Sequence, residues 1–301
     1  MKYINILHFA AIITLLTACN EESTSPMYDS NKYELFNATI LDSNTRTVLD
    51  NNYNVVWQAG DEISIFGRTG YHNQYVLKSG ENTASGTFEP KDYAGTNPEL
   101  EANYAIYPYN KSYILTNDKT VSVDISSWAN QTYIAGTFEN GKAFMTGKSD
   151  NTNIPFKNAQ SVARFKVSSK VPGSYSIKTI SISSASKALN GPSVIDMKAD
   201  APILECATNN IENSHKTNTL TCTEKVVLGV GETYFYMLMP TGAYSDLTIK
   251  ITGKEEMNNK DFKWSYTIPS TITFQRSKFF TFEKEFQAVD FSGSNEGTGN
   301  N

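Results

Sequence analysis

Histidine, cysteine and clustered charge are all scarce in this 301-residue chain. The three histidines are His8, His72 and His215, and the three cysteines are Cys19, Cys206 and Cys222. No CxxC pair occurs and the histidines lie far apart, so the spacing of a zinc site is missing and no metal or other cofactor is expected. General acid–base chemistry would have to rest on carboxylates or tyrosines. The nucleophile elbow G-x-S-x-G, the P-loop, HExxH and the EF-hand loop are all absent. Gly229-Val230-Gly231 has no third glycine and no helical pattern after it, so it reads as a turn between strands. A glycosidase needs two facing carboxylates, but the acidic residues here fall on polar strand faces with nothing nearby to raise a pKa. The expectation is a non-enzyme. Basic runs are missing too: 26 Lys and Arg are scattered among 31 Asp and Glu, for a net charge of −5. Removing Lys2 with a leader would make it −6. Such a chain has no electrostatic reason to seek nucleic acid or an anionic membrane surface. Apolar stripes at i, i+3, i+4, i+7 are lacking as well, with Pro98–Tyr104 offering at most a single helical turn.

What the chain does have is aromatic and β-branched residues set among Ser, Thr and Asn. Its 17 Tyr and 16 Phe favour strands joined by polar turns. The period is two. Phe36, Ala38 and Ile40 share one face of a candidate strand Glu34–Leu41. Asp61–Gly67 gives a second strand, and Tyr104–Tyr107 a third that stops at Pro108, which cannot donate to a ladder. Ala163, Phe165 and Val167 oppose Arg164 and Lys166, and Leu247, Ile249 and Ile251 oppose Thr248, Lys250 and Thr252. Tyr234, Tyr236 and Leu238 oppose Phe235, Met237 and Met239, as in a strand covered on both faces. The fold class is all-β, and the length suits two sandwiches better than one.

The N-terminus predicts export. Lys2 precedes an apolar run from Ile4 to Leu16, shorter than the roughly 20 residues that span a bilayer. The run ends in Leu16-Thr17-Ala18-Cys19, which looks like a bacterial lipobox; an ordinary secretory leader is the alternative. Residues 1–18 are then a lipoprotein signal, with Cys19 as the acylated residue holding the chain to outer-membrane lipid. Glu21-Glu22 resembles the acidic export tag of Bacteroides-type surface lipoproteins. Residues 19–33 read as a tether, 34–157 as an N-terminal sandwich, 158–291 as a C-terminal sandwich and 292–301 as a disordered tail. In an oxidising compartment Cys206 and Cys222 are free to bridge across a 15-residue stretch, or to stay as two separate thiols.

Tyr71, Tyr75, Tyr107, Tyr109, Tyr113 and Trp128 raise a second function, a glycan-binding lipoprotein whose aromatic faces stack on sugar rings. The competing explanation places the same residues in the sandwich core and its rim.

Three segments arrive in a characteristic order: Thr45-Arg46-Thr47, then Trp57-Gln58-Ala59-Gly60-Asp61-Glu62-Ile63, then Tyr104-Ala105-Ile106-Tyr107-Pro108-Tyr109. Phe156-Lys157-Asn158 with Val162-Ala163-Arg164-Phe165, and Tyr236-Met237-Leu238-Met239-Pro240-Thr241, follow. The ordered set, covering about residues 34–285, resembles the fimbrillin family of pilins. That resemblance implies two tandem transthyretin-like β-sandwich domains, adhesion to host or glycan surfaces, and other pilin subunits as partners. It also implies maturation by a protease that cuts after Arg or Lys, removes the lipid and first strand, and leaves a groove for a neighbour's strand. Arg46, just after the first strand, is the candidate cleavage site, or else an ordinary loop arginine; Lys32 is a competing site, but a cut there would leave the first strand in place. Phe280, Phe282, Phe286 and Ala288 are the candidate plugs of a donor strand. A closing strand of the second sandwich would show the same alternation.

Overall fold

The computed structural model describes residues 34–41, 56–139, 141–198, 203–209 and 211–287. Cys19, Arg46 and Ala288 lie outside the described residues, as do the leader, the tether and the tail. The first half contributes β1 (Phe36–Ile40), β2 (Glu62–Phe66), β3 (Tyr71–Ser79), β4 (Ser85–Thr96), β5 (Asn103–Tyr107), β6 (Thr120–Asp124), β7 (Asn130–Thr132), β8 (Met145–Ser149) and β9 (Asn153–Asn158). The second contributes β10 (Ser161–Ser169), β11 (Tyr175–Ser184), β12 (Pro192–Asp196), β13 (Ile203–Cys206), β14 (Thr217–Val227) and β15 (Thr233–Met239). It ends with β16 (Gly242–Tyr244), β17 (Leu247–Glu255), β18 (Lys260–Thr267), β19 (Ile272–Phe274) and β20 (Phe279–Phe286). Two single-turn 3₁₀ helices, Ser126–Ala129 and Asn213–Lys216, are the only described helical segments. The chain is all-β.

Seven strands close on themselves in the order β1-β4-β3-β2-β5-β8-β9, so the first unit is a barrel rather than an open sandwich. Closure rests on β1, which pairs antiparallel with β4 and parallel with β9. Phe36, Ala38, Trp57, Ile63, Ile65, Phe88, Met145, Ile154 and Phe156 fill the interior. Trp57 is the anchor that its motif suggests. It is fully buried, edge-on to Phe88, Tyr107 and Phe156 at 5.0, 5.7 and 5.5 Å. The turn after it is fastened by Asp61, whose amide donates to the Gln58 carbonyl (3.0 Å) and whose carboxylate accepts from the Gln58 amide (2.7 Å). Gly60, at φ +82°, supplies the left-handed residue the turn requires. Burial raises the Asp61 pKa, while bonds from Gln58 and the Tyr107 hydroxyl favour its charged form. This carboxylate works as a turn fastener.

The second half builds a five-stranded sheet β18-β17-β11-β14-β7 and a three-stranded sheet β15-β10-β20 around one core. The alternation along β10 and β17 is realised: Ala163, Phe165, Val167, Leu247, Ile249 and Ile251 face that core. β15 is covered on both faces. Phe235, Met237 and Met239 enter this core, and Tyr236 and Leu238 a third one shared with Tyr104, Ile106, Trp128 and Val162.

That third core spans the boundary expected at 157/158. The sheets do change over between β9 and β10, but β6 pairs with β12 and β7 pairs with β14, so residues 120–132 join the second half. The buried Gln131 makes this crossing specific. Its amide group donates to the Leu238 carbonyl (3.1 Å) and accepts from the Leu238 amide (2.8 Å), taking the place of a neighbouring strand. Arg276 and Ser277 bind the same junction. The Arg276 guanidinium donates to the carbonyls of Asn158 (2.8 Å) and Lys157 (3.2 Å) and to Thr146 Oγ1 (3.0 Å). Ser277 Oγ donates to the Asn158 carbonyl (2.9 Å).

Gln131→Leu should lower the unfolding free energy by about 2–4 kcal/mol, since the Leu238 N–H and the Trp128 carbonyl lose their buried side-chain partner at roughly 1–3 kcal/mol each, while the Leu238 carbonyl keeps Asn218 Nδ2 at 3.4 Å. Denaturant titration of the purified chain checks this; a loss below measurement error would remove the residue from the account.

Candidate functional site

The candidate site is the place of β1 in the barrel wall. Asn37 and Thr39 point outward and Phe36, Ala38 and Ile40 inward, with all three inward residues buried. Small residues in register explain the middle position. Ala38 lies opposite Gly86, and a Cβ at Gly86 would approach Leu77 Cδ1 to 2.5 Å and Trp57 Cδ1 to 3.0 Å. The Trp57 indole occupies that space and donates to the Ala38 carbonyl (3.2 Å). Phe36 meets the Tyr75 ring edge-on at 5.2 Å. The slot therefore accepts a large–small–large sequence.

Both ladders of β1 are made. The Asn37 amide donates to the Thr152 carbonyl (2.8 Å), the Ile40 amide to Ala84 (2.8 Å) and the Leu41 amide to Phe156 (2.9 Å). Outward side chains add Asn37 Nδ2 to Asn153 Oδ1 (3.0 Å) and Thr87 Oγ1 to Asn37 Oδ1 (3.1 Å). Full burial of side chains such as Phe36 and Ile40 is worth roughly 1.5–3 kcal/mol each, and each ladder bond about 1 kcal/mol. An emptied slot would need refilling.

At the other end of the chain, β20 runs parallel to β10 from Val162↔Phe279 to Ser169↔Phe286. Among the described residues it is an edge strand with a single neighbour. Phe280 and Phe282 are half-buried against the second core and Phe286 is fully buried, beside Phe262 (5.3 Å) and Trp264 (6.2 Å). Within this chain β20 thus closes its own sheet.

Of the remaining predicted residues, Tyr75 and Tyr107 pack in the same barrel core as β1, and the cysteines, Tyr113 and Trp128 lie in other cores or sheets. Cys206 and Cys222 are free thiols in different sheets, their pKa values pushed up by burial to about 11 and about 12. Trp128, Tyr75, Tyr107 and Tyr113 are buried, so the proposed aromatic sugar groove is not formed by them. Burial raises the Tyr113 pKa to about 12. These aromatics are core: Tyr75 and Tyr107 point into the barrel from β3 and β5, and Trp128, in the 3₁₀ helix, joins Tyr113 in the third core. Sequence reasoning missed Arg276 and the Ala38–Gly86 gap. A lone arginine in Gln275-Arg276-Ser277-Lys278 looks like a solvated loop residue, and a glycine facing an alanine across strands shows only once register is known.

His72 is buried against the Phe66 ring (4.3 Å), and its Nε2 has no hydrogen-bond partner among the described residues. Desolvation lowers its pKa from 6.5 to about 4. Above pH 6.5 the imidazole is neutral in folded and unfolded chains alike. As pH falls from 6.5 to 4 the unfolded chain takes up a proton that the folded one refuses, so stability drops across that window. His72→Phe should flatten this part of the stability–pH curve; an unchanged slope would assign it to other groups.

No family model matches the sequence, and no curated protein does. Among solved structures, a candidate cell adhesion protein from Bacteroides ovatus superposes with a TM-score of 0.54 at 10% identity, covering 86% of this chain and 95% of that one. A second candidate cell adhesion protein, from Bacteroides uniformis, gives 0.50 at 14% identity, covering 85% and 93%. The tip fimbrial protein Mfa3 of Porphyromonas gingivalis overlaps more loosely, at 0.36 and 9% identity over 83% and 92%. At these identities, what the two Bacteroides proteins share with this chain is the fold.

Proposed function

We propose that the chain is a structural subunit of a cell-surface fimbria, in the shaft or as a minor anchor or tip component. In this reading it is exported as a lipoprotein through Cys19. Cleavage at Arg46 removes the segment that carries β1, and the slot is refilled by donor-strand exchange with a neighbouring subunit. The observation that carries the reading is that β1 is bonded on both sides and fills the barrel with three side chains. Its loss would leave two open ladder edges, Ser85–Phe88 and Asn153–Phe156, over an apolar trough, the situation that β-augmentation resolves. The donor would be the C-terminal segment bearing Phe280, Phe282, Phe286 and Ala288. Because β20 is held along one edge only, its release breaks one ladder rather than two. The fold shared with candidate cell adhesion proteins supports the same reading.

Limited trypsin digestion of the purified precursor tests it. Cleavage should occur after Arg46, giving a product that begins at Thr47, and the clipped protein should form ladders that persist in mild SDS. Clipped protein that stays monomeric would refute a shaft role. A synthetic peptide of residues 34–41, Glu-Leu-Phe-Asn-Ala-Thr-Ile-Leu, should suppress the ladders by reoccupying the slot. The same peptide with Ala38→Phe should fail, because the larger ring has no room beside Trp57 and Gly86. Equal inhibition by both peptides would place strand exchange elsewhere. For the anchor, palmitate labelling in cells should vanish in Cys19→Ala; label retained in that variant would reject the lipobox.

A further inference from the structure

A hollow of about 510 Å³ opens beside the N-terminal part of β15, away from the barrel slot. Its walls are Tyr133, Arg164, Glu232, Tyr234 and Tyr236, with Gly136 at the rim. The volume falls in the range of about 300–1,000 Å³ typical of small-molecule sites. None of the tyrosines read from sequence as a sugar groove contributes to it.

Two features give this hollow a chemistry. The first is an aromatic lining: Tyr133 and Tyr234 are half-buried at the hollow, and the buried Tyr236 ring lies 6.5 Å from that of Tyr234, within 22° of parallel. The second is a fixed donor beside a fixed acceptor. Arg164 is locked by bonds from Nε (3.1 Å) and Nη2 (2.9 Å) to Thr281 Oγ1, with its guanidinium over the Tyr234 and Phe279 rings at 5.7 and 5.3 Å. Glu232 accepts from the Tyr234 hydroxyl and from Lys166 Nζ, the latter at 2.7 Å. Held side chains of this kind bind without a large ordering cost.

We propose that this hollow binds one neutral pyranose, the terminal hexose of a surface glycan. The CH face of a hexose packs against the exposed parts of Tyr133 and Tyr234, while its vicinal hydroxyls both donate and accept, matching Glu232 and Arg164 together. A neutral ligand is favoured because the two charges oppose each other. An anion would face Glu232, and a cation would face Arg164 and Lys166. This adds a ligand to the adhesive side of the proposed function and does not depend on strand exchange, so either idea can fail while the other stands.

Saturation-transfer NMR on the full, unclipped chain tests it with D-glucose, D-galactose, D-mannose, N-acetyl-D-glucosamine and D-glucuronate. Transfer to the ring protons of at least one neutral hexose is expected. Tyr234→Ala should weaken it about tenfold, the loss of one stacked ring, and Tyr234→Phe should retain most of it. Tyr71→Ala, on the barrel, should change nothing. Absence of transfer to every neutral hexose would overturn the proposal. So would transfer unaffected by Tyr234→Ala, or transfer to glucuronate alone. An extended peptide that shifts the Thr233 and Tyr234 amides where no hexose does would also overturn it, making the hollow a strand-docking edge.

Discussion

The barrel stands on the contact between Trp57 and the Ala38–Gly86 pair. A tryptophan in so small a barrel needs two adjacent positions without bulk, and these occur on neighbouring strands, in register. The indole N–H then bonds to the Ala38 carbonyl, so the largest side chain of the core also holds the strand that closes the wall. Around it Phe88, Tyr107 and Phe156 pack edge-on, the geometry that aromatic quadrupoles prefer. Because β1 is both the closing strand and the lid over this cluster, its presence and the integrity of the core are one condition.

The two ends of the chain are held in different ways. β1 is bonded along both edges, whereas β20 is bonded along one and secured by Phe286 in the second core. Between them, β9 carries β1 on its edge while its last carbonyl, on Asn158, accepts from Arg276 and Ser277 just before β20. Strand closure in the barrel and the approach to the C-terminal strand therefore meet on one short element. Gln131 ties the other crossing in the same manner, by satisfying backbone groups that no strand reaches.

Several elements could be read directly. The alternation in Phe36-Ala38-Ile40, in Ala163-Phe165-Val167 and in Leu247-Ile249-Ile251 foretold which side chains face inward, because a strand has a period of two whatever its neighbours are. The double cover of β15 was legible for the same reason, apolar residues occupying both phases. Trp57 and the Gly60-Asp61 turn were legible because a left-handed glycine followed by a capping carboxylate is local chemistry. Between the two readings of the aromatics, burial bears out the core for Trp128, Tyr75, Tyr107 and Tyr113; local sequence could not choose, because an aromatic residue carries no mark of which layer will cover it.

Sequence alone determined the class of the fold, the phase of its strands and the position of its tight turns, since these depend on residues close together along the chain. Tertiary structure decided the rest. It closed the first sheet into a barrel through a parallel pair between residues more than a hundred positions apart. It sent residues 120–132 to the second half, and it gathered Arg164, Glu232 and three tyrosines around one hollow. Pairing partners are chosen by how apolar faces from distant segments fit together, and no local pattern of residues records that fit.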